Sequence, residues 1–451
     1  METVISALSR YAFGIFIAFY AFNSFFASAV KEDERNGFYF LQNIFMVFIH
    51  VLGFYILSLE GDHDYYILLC LLQEVLFFTI IILYRTIYKG SSILIVNNMC
   101  LMLAVSLLML TRLSFAKSLK QFVVVAISTI ITAFIPFLMP KLKRLKSYNL
   151  IFGLGGLAVL LIVFIAGTVT NGSKISYSIG GITFQPSEFV KLTFIIFVAG
   201  VLAPEYNEDP FDYRPSVKQI AISAAVAAAT VIVLVLSRDL GGALIFFVIY
   251  FAMLYVIVKN PLYLLGGAVI GALGSIAGYK LFSHVRTRVI AWRDPYSVIE
   301  GQGYQIAQSL FAIGTGGWIG MGLDKGTPTK IPVVAADFIF AAICEELGCV
   351  FGFCLVLIIL STFIMMMNAA MRIADHFYRL IIVGISVALS FQVLLNIGGV
   401  TKFIPMTGVT LPLISYGGSS VLVCMSMFAS IQGIYMMIPA KKQKHQRGDR
   451  Q

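Results

Sequence analysis

Apolar residues run along this chain in blocks of about twenty, separated by short polar or glycine-rich breaks. The blocks fall at approximately 8–30, 38–58, 65–85, 92–112, 120–139, 148–168, 186–204, 219–236, 240–258, 262–282, 337–364, 378–398 and 411–437. A helix needs roughly 17–25 apolar residues to cross a bilayer. Open backbone cannot face hydrocarbon, and the strict polar–apolar alternation of a barrel is missing. The pattern therefore predicts an all-α polytopic membrane protein of about thirteen spans. The longest polar interruption, near 283–336, reads as a long loop holding Trp292, Trp318 and much of the glycine. Long loops in compact proteins are usually functional.

Composition agrees with that reading. Of 451 residues, 59% are hydrophobic and 12% charged. A soluble domain has about 45–50% apolar and about 25% charged residues. The excess excludes a soluble enzyme, a disordered chain and a nucleic-acid-binding domain. The net charge of +10 then speaks of topology and anionic headgroups. The apolar N-terminus has no small-residue cleavage site and reads as a retained helix. The six cysteines sit in apolar segments without metal-ligand spacing and read as buried small hydrophobes.

Basic loops set the orientation. Arg85 and Lys89, then Lys141, Lys143, Arg144 and Lys146, then Arg372 and Arg379, then the tail with Lys441, Lys442, Lys444 and Arg447, all fall on one side of a thirteen-span chain. That side is cytoplasmic by the positive-inside rule. The N-terminus and the acidic loop Glu60-Gly61-Asp62-His63-Asp64 then lie outside. The polar stretch 205–218 becomes a cytoplasmic loop without assigned chemistry.

Against that bias, Lys174, Arg238, Arg286, Arg288, Arg293, Lys325, Lys330 and Lys402 fall on the outer side. Singly, each reads as a solvated charge. Together they suit a phosphate-bearing ligand. Arg238-Asp239 breaks an apolar run and is either a structural ion pair or part of a site. Asp337 opens an apolar segment at the outer face, where it either caps a helix or serves as a base. Glu345 and Glu346 follow about two turns on, with Glu345 on roughly the same face as Asp337. Glu188 and Lys191 can pair at i,i+3. The patch at Ser415, Tyr416, Ser419 and Ser420 offers hydroxyls or simply close packing.

Six stretches taken in order resemble one family. They are NGSKISYSIGGITFQPSEFVKL (171–192), SRDLGGAL (237–244), HVRTRVIAWRDP (284–295), GYQIAQSLFAIGTGGWIGMGL (303–323), ADFIFAAICEELG (336–348) and NIGGVTKFIPMTGVTLPLISYGGSS (396–420). The chain resembles the SEDS proteins (shape, elongation, division and sporulation), the group of FtsW, RodA and SpoVE. The resemblance implies a ten-helix core over 92–440, a three-helix N-terminal extension over 1–91 and a basic cytoplasmic tail over 441–451. It implies polymerisation of lipid II into β-1,4 glycan at the outer face of the bacterial cytoplasmic membrane, by an inverting glycosyl transfer. A class B penicillin-binding protein would be the partner.

The family's essential acid carries over to Asp337. Substrate-binding candidates within the six stretches are Lys174, Gln185, Glu188, Lys191, Arg238, Asp239, Arg286, Arg288, Gln308, Ser309, Lys402, Ser415, Tyr416, Ser419 and Ser420, with Glu345 and Glu346 as supporting acids. The pattern departs at Ala335 and Ala336, where the family often has His-Thr, and after Lys174, where Trp is common and Ile175-Ser176-Tyr177 stands. No dedicated metal-ligand cluster is visible, although a divalent cation such as Mg2+ could assist at the pyrophosphate. A flippase of lipid-linked precursors and a non-catalytic scaffold are the competing expectations.

Overall fold

A computed structural model describes residues 2–31, 34–61, 65–170, 173–179, 182–204 and 213–438. The loop residues Asp62, His63 and Asp64, most of the 205–218 stretch and the tail 441–451 lie outside the described residues.

The helices are α1 (Glu2–Ala29), α2 (Asn36–Gly61), α3 (Tyr65–Thr86), α4 (Ile93–Leu113), α5 (Phe115–Ala133), α6 (Ile135–Leu142), α7 (Asn149–Ala166), α8 (Pro186–Leu202), α9 (Val217–Leu236), α10 (Leu240–Val258), α11 (Pro261–Leu281), α12 (Ser283–Arg293), α13 (Tyr304–Gly316), α14 (Ile339–Leu347), α15 (Cys349–Arg372), α16 (His376–Val400) and α17 (Gly418–Tyr435). Among the described residues, twelve helices are long and apolar enough to cross a membrane. With 17 residues, α8 reaches the lower limit for a thirteenth crossing.

Three details differ from the sequence expectation. The 337–364 block is not one helix: it breaks at Gly348, whose φ of 93° favours glycine. The stretch before α8 forms a small antiparallel sheet, β1 (Thr168–Thr170), β2 (Ser173–Ile179) and β3 (Ile182–Phe184), in sequential order. The 283–336 interruption holds two helices, α12 and α13. Their apolar stretches are too short to read as spans.

The first three helices pack on the core instead of hanging beside it. Residues Leu94 to Thr111 of α4 are all buried, because α1, α2 and α3 cover its outer side. Polar side chains bind the layers. Asn98 Oδ1 accepts from Tyr20 Oη at 3.2 Å and Ser24 Oγ at 2.9 Å, and Asn98 Nδ2 donates to Thr362 Oγ1 of α15 at 3.0 Å. Gln42 donates to Ser24 Oγ and accepts from Asn97. Such interhelical bonds contribute about 0.6–2 kcal/mol each in a bilayer. At the opposite extreme, Gly267 alone is buried on α11. Its exposed Leu262, Leu265, Leu273 and Leu281 suit hydrocarbon contact.

The basic turns meet at one end of the bundle. Lys143 Nζ lies 2.6 Å from Asp375 Oδ2, Tyr378 Oη donates to Met139 O at 2.9 Å, and Arg372 stacks over the Tyr435 ring. The turns after α6 and α15 and the end of α17 thus share one face. The motif-bearing turns gather at the other.

Candidate active site

At that second end, the turn before α14 carries Asp337. It does not sit in the helix: Phe338 is the N-cap and α14 starts at Ile339. Its backbone is clamped. Asn396 Nδ2, from α16, donates to Asp337 O at 2.9 Å and to Val409 O at 2.7 Å. The neighbouring carbonyls hold the 409–420 segment. Ala335 O accepts from Tyr416 N at 2.8 Å, and Ala336 O accepts from Ser415 Oγ. The alanines that replace His-Thr thus contribute through their backbones.

The Asp337 carboxyl is half-buried. Burial raises its pKa to about 6, while the Arg288 guanidinium pulls the other way. Arg288 is fixed by donating from Nη1 to Thr407 O at 2.8 Å. Gly408 lies between them. A Cβ there would stand 3.7 Å from Asp337 Oδ2 and 3.8 Å from Arg288 Nη2, so the two charged groups are at most about 7.5 Å apart (3.7 + 3.8). The φ of +75° at Gly408 suits glycine.

Behind Gly408 is a polar cavity of about 30 Å³, lined in part by Gln185, Glu188, Lys191, Asp239 and Thr410. It is large enough for one or two waters. Glu188 and Lys191 pair at 2.8 Å, as their i,i+3 spacing predicts. Lys191 Nζ also donates to Gln392 Oε1 at 2.8 Å, and Gln392 donates to Thr410 O at 3.0 Å. Asp239 caps α10 by accepting from Gly242 N at 2.8 Å. Burial raises its pKa, and the Gly242 hydrogen bond, then Lys191 and Arg288, partly offset this. Arg238 precedes it with φ 65° and an exposed side chain. Its charge and that of Arg288 add to burial in lowering the His284 pKa, which marks Arg238, His284 and Arg288 as electrostatic neighbours.

Other candidates have different employment. Arg286 donates to Lys280 O at 3.2 Å and stacks near Tyr279, so it faces α11. The backbone carbonyl of Lys402 receives Trp292 Nε1 at 3.1 Å. Ser309 is fully buried and donates to Val400 O at 2.8 Å. Gln308 is half-buried on α13. Ser419 Oγ receives Gln185 N at 3.2 Å, and Ser420 meets Thr410 at 3.0 Å. Lys174 lies in β2, but its side chain falls outside the described residues.

Glu345 and Glu346 do not join Asp337; they anchor the glycine-rich loop before it. Glu345 Oε1 accepts from Thr327 N at 2.8 Å, and Glu346 accepts from Arg112 Nε at 2.9 Å, with Asp324 2.7 Å from the same nitrogen. Asp337 precedes α14, which starts at Ile339, so the helical i+8 spacing to Glu345 does not hold, and the closely approaching loop engages both acids instead. Gly316, Gly320 and Gly348 permit that approach: a Cβ on any of them would lie within 2.5 Å of backbone.

Asn396, Gln392, Gly408 and Thr410 escaped the sequence reading as site residues. A signal existed: Gln392 and Asn396 are polar at i,i+4 in an otherwise apolar helix.

A family model described as cell cycle protein, FTSW_RODA_SPOVE, matches residues 91–440. Peptidoglycan glycosyltransferase RodA of Mycobacterium tuberculosis is 35% identical over 290 residues, 62% of either chain. The chain thus spans under two thirds of that curated relative's length. The probable peptidoglycan glycosyltransferase FtsW of Tolumonas auensis is 32% identical over 308 residues, 64% of this chain and 76% of that one. In fold, the chain is similar to one from a solved peptidoglycan synthase complex described as coordinating polymerization and crosslinking (TM-score 0.62, 24% identity, 77% of this chain and 98% of that). It is also similar to the rod shape determining protein RodA of Thermus thermophilus (TM-score 0.56, 22% identity, 78% and 99%).

Proposed function

This chain belongs to the FtsW/RodA/SpoVE family of cell cycle proteins, and from that premise we propose that it polymerises lipid II into glycan strands. The observation that carries the reading is the half-buried Asp337 carboxyl, with its pKa raised to about 6, facing Arg288 across Gly408. A carboxyl with that pKa is largely ionised at neutral pH yet basic enough to take a proton.

In the proposed step, a sugar hydroxyl of the acceptor loses its proton to Asp337. Its oxygen bonds to the anomeric carbon of the donor from the face opposite the lipid pyrophosphate. The carbon–oxygen bond to the pyrophosphate breaks, its electron pair leaves with the phosphate, and the α linkage becomes β. Arg288 stabilises the departing charge, with Arg238 as its neighbour. No second carboxylate is needed for so good a leaving group. Among the described residues no group of three or more His, Cys, Asp or Glu could hold a metal ion. No step is routed through a divalent cation.

With α8 as a thirteenth crossing, the positive-inside rule would put the basic turns in the cytoplasm and Asp337 outside, where a lipid-linked sugar would be displayed. A class B penicillin-binding protein would crosslink the product. The test is polymerisation of lipid II by the purified full chain, with and without such a partner, comparing wild type with Asp337→Asn. Loss of polymer with intact folding supports the reading. Undiminished polymer from the variant removes the base, and lipid II flipping without polymer replaces the enzyme with a flippase.

A further inference from the structure

All six cysteines are free thiols, and five of them are buried, as small hydrophobes in apolar segments should be. Cys349 is the exception. It is half-buried and opens α15, at i,i+5 from Cys344 in α14. The helix break at Gly348 stands between the two.

That break brings the thiols together. In a continuous helix, side chains at i and i+5 point about 140° apart around the axis. Here Gly348 leaves the helix at φ 93° and ψ 161°, while its N–H still bonds Cys344 O at 3.1 Å. Beyond it, Cys349 N donates to Gly317 O at 2.9 Å and Val350 N to Trp318 O at 3.1 Å. The glycine-rich loop, and not α14, therefore sets the first turn of α15. As a result the Cys344 and Cys349 thiols lie within hydrogen-bonding reach of each other. A separate contact agrees. A Cβ at Gly352, one turn along α15 from Cys349, would stand 2.8 Å from Cys344 Sγ. The Cys344 sulfur thus rests on the first turn of α15, where the missing side chain of Gly352 admits it. Otherwise Cys349 Sγ reaches Ile313 O at 3.9 Å, a weak bond for a weak donor.

We propose that Cys344 and Cys349 are a disulfide site, oxidised by exchange with an external disulfide. The half-buried Cys349 thiolate attacks one sulfur of that disulfide. The S–S bond breaks, and its other sulfur leaves as a thiolate. Cys344 then gives up its proton and attacks the Cys349 sulfur of the mixed disulfide, expelling the second thiolate. Two protein thiols are oxidised, one disulfide is reduced to two thiols, and the two protons pass to them. Burial of Cys344 is no obstacle, because its attack is internal. Gly348 supplies the backbone freedom that disulfide geometry demands. The bond closes a ring around Glu345 and Glu346, the anchors of the glycine-rich loop. The outer orientation proposed for the Asp337 face would set the pair in an oxidising compartment. The exchange itself is independent of glycosyl transfer.

The test equilibrates the full chain in neutral detergent with oxidised glutathione, denatures it, alkylates free thiols and maps the peptide holding both cysteines. That peptide should carry no alkyl group and weigh less than the dithiol by two hydrogens, and reduction should restore two alkylation sites. Cys70, Cys100, Cys354 and Cys424 should stay alkylatable. Cys344→Ser should trap the intermediate as a glutathione adduct on Cys349, whereas Cys349→Ser should leave the buried Cys344 a thiol. The oxidised chain should unfold at a higher temperature than the reduced one, a difference that Cys344→Ser abolishes. An adduct in Cys344→Ser while the wild type keeps both thiols would overturn the pairing. A Cys349 inert in both chains would overturn the site. In a separate arm, a membrane-impermeant maleimide on intact cells should label Cys349 of Cys344→Ser. No label there, with the bond formed in detergent, would uphold the pair and refute the outer orientation instead.

Discussion

Removing the Arg288 charge should move the acid limb of the pH–rate profile. The general base works ionised, so kcat/KM should fall as pH drops through about 6, the pKa to which burial raises Asp337. At pH 5 about a tenth of the plateau rate should remain. Arg288 opposes the rise. Two unit charges 7.5 Å apart, the upper limit from Gly408, interact by roughly 2 kcal/mol at an effective dielectric of 20. Solvent reaches both half-buried groups and weakens this. In Arg288→Gln the limb should therefore shift upward by roughly one pH unit. The plateau should also drop, because pyrophosphate loses a cation. The assay is initial-rate polymerisation of fluorescent lipid II between pH 4.5 and 8.5. A profile with an unmoved limb and only a lower plateau would break the electrostatic link between the two residues. A limb that survives in Asp337→Asn would show that some other group titrates.

Asp337→Asn should also stabilise the fold at neutral pH. A carboxyl whose folded pKa lies above its ordinary 3.8 adds stability below that value and loses it as pH rises through about 6. At pH 7.5 the gain from a neutral amide is at most about 3 kcal/mol, seen as a raised unfolding temperature that vanishes near pH 4. Lys191→Met should cost about 3–5 kcal/mol by leaving Glu188 buried without its cation. The double variant with Glu188→Gln should recover part of that loss, as thermal unfolding in detergent can measure. Gly316→Ala places a methyl 2.1 Å from Cys344 O, so the loop anchored by Glu345 and Glu346 should not close, and folded yield should collapse. Asn98→Leu should cost about 1–3 kcal/mol by leaving Tyr20, Ser24 and Thr362 without their partner.

Hydropathy period and length were enough to specify the helices, because each span must satisfy its own backbone before it meets a neighbour. The same local logic exposed the cations that run against the topology, Arg288 among them, the outer-face acid Asp337, and the i,i+3 pair of Glu188 and Lys191. What lay beyond one helix's reach stayed hidden. The 337–364 block reads as continuous helix, since Gly348 is only a weak breaker; packing of the 317–326 loop against it makes the break. Asp337 lies before the helix that carries Glu345 and Glu346, so the spacing that suggested one face for Asp337 and Glu345 fails, and the two acids bond Thr327 and Arg112 instead. Arg286 and Arg288 are two residues apart and look equivalent in sequence, yet helical rotation sends one to α11 and the other to Thr407 beside the acid. Residue type and spacing fix which groups a helix can offer. Which of them meet, and with what pKa, depends on contacts between segments hundreds of residues apart, and those exist only once the bundle has closed.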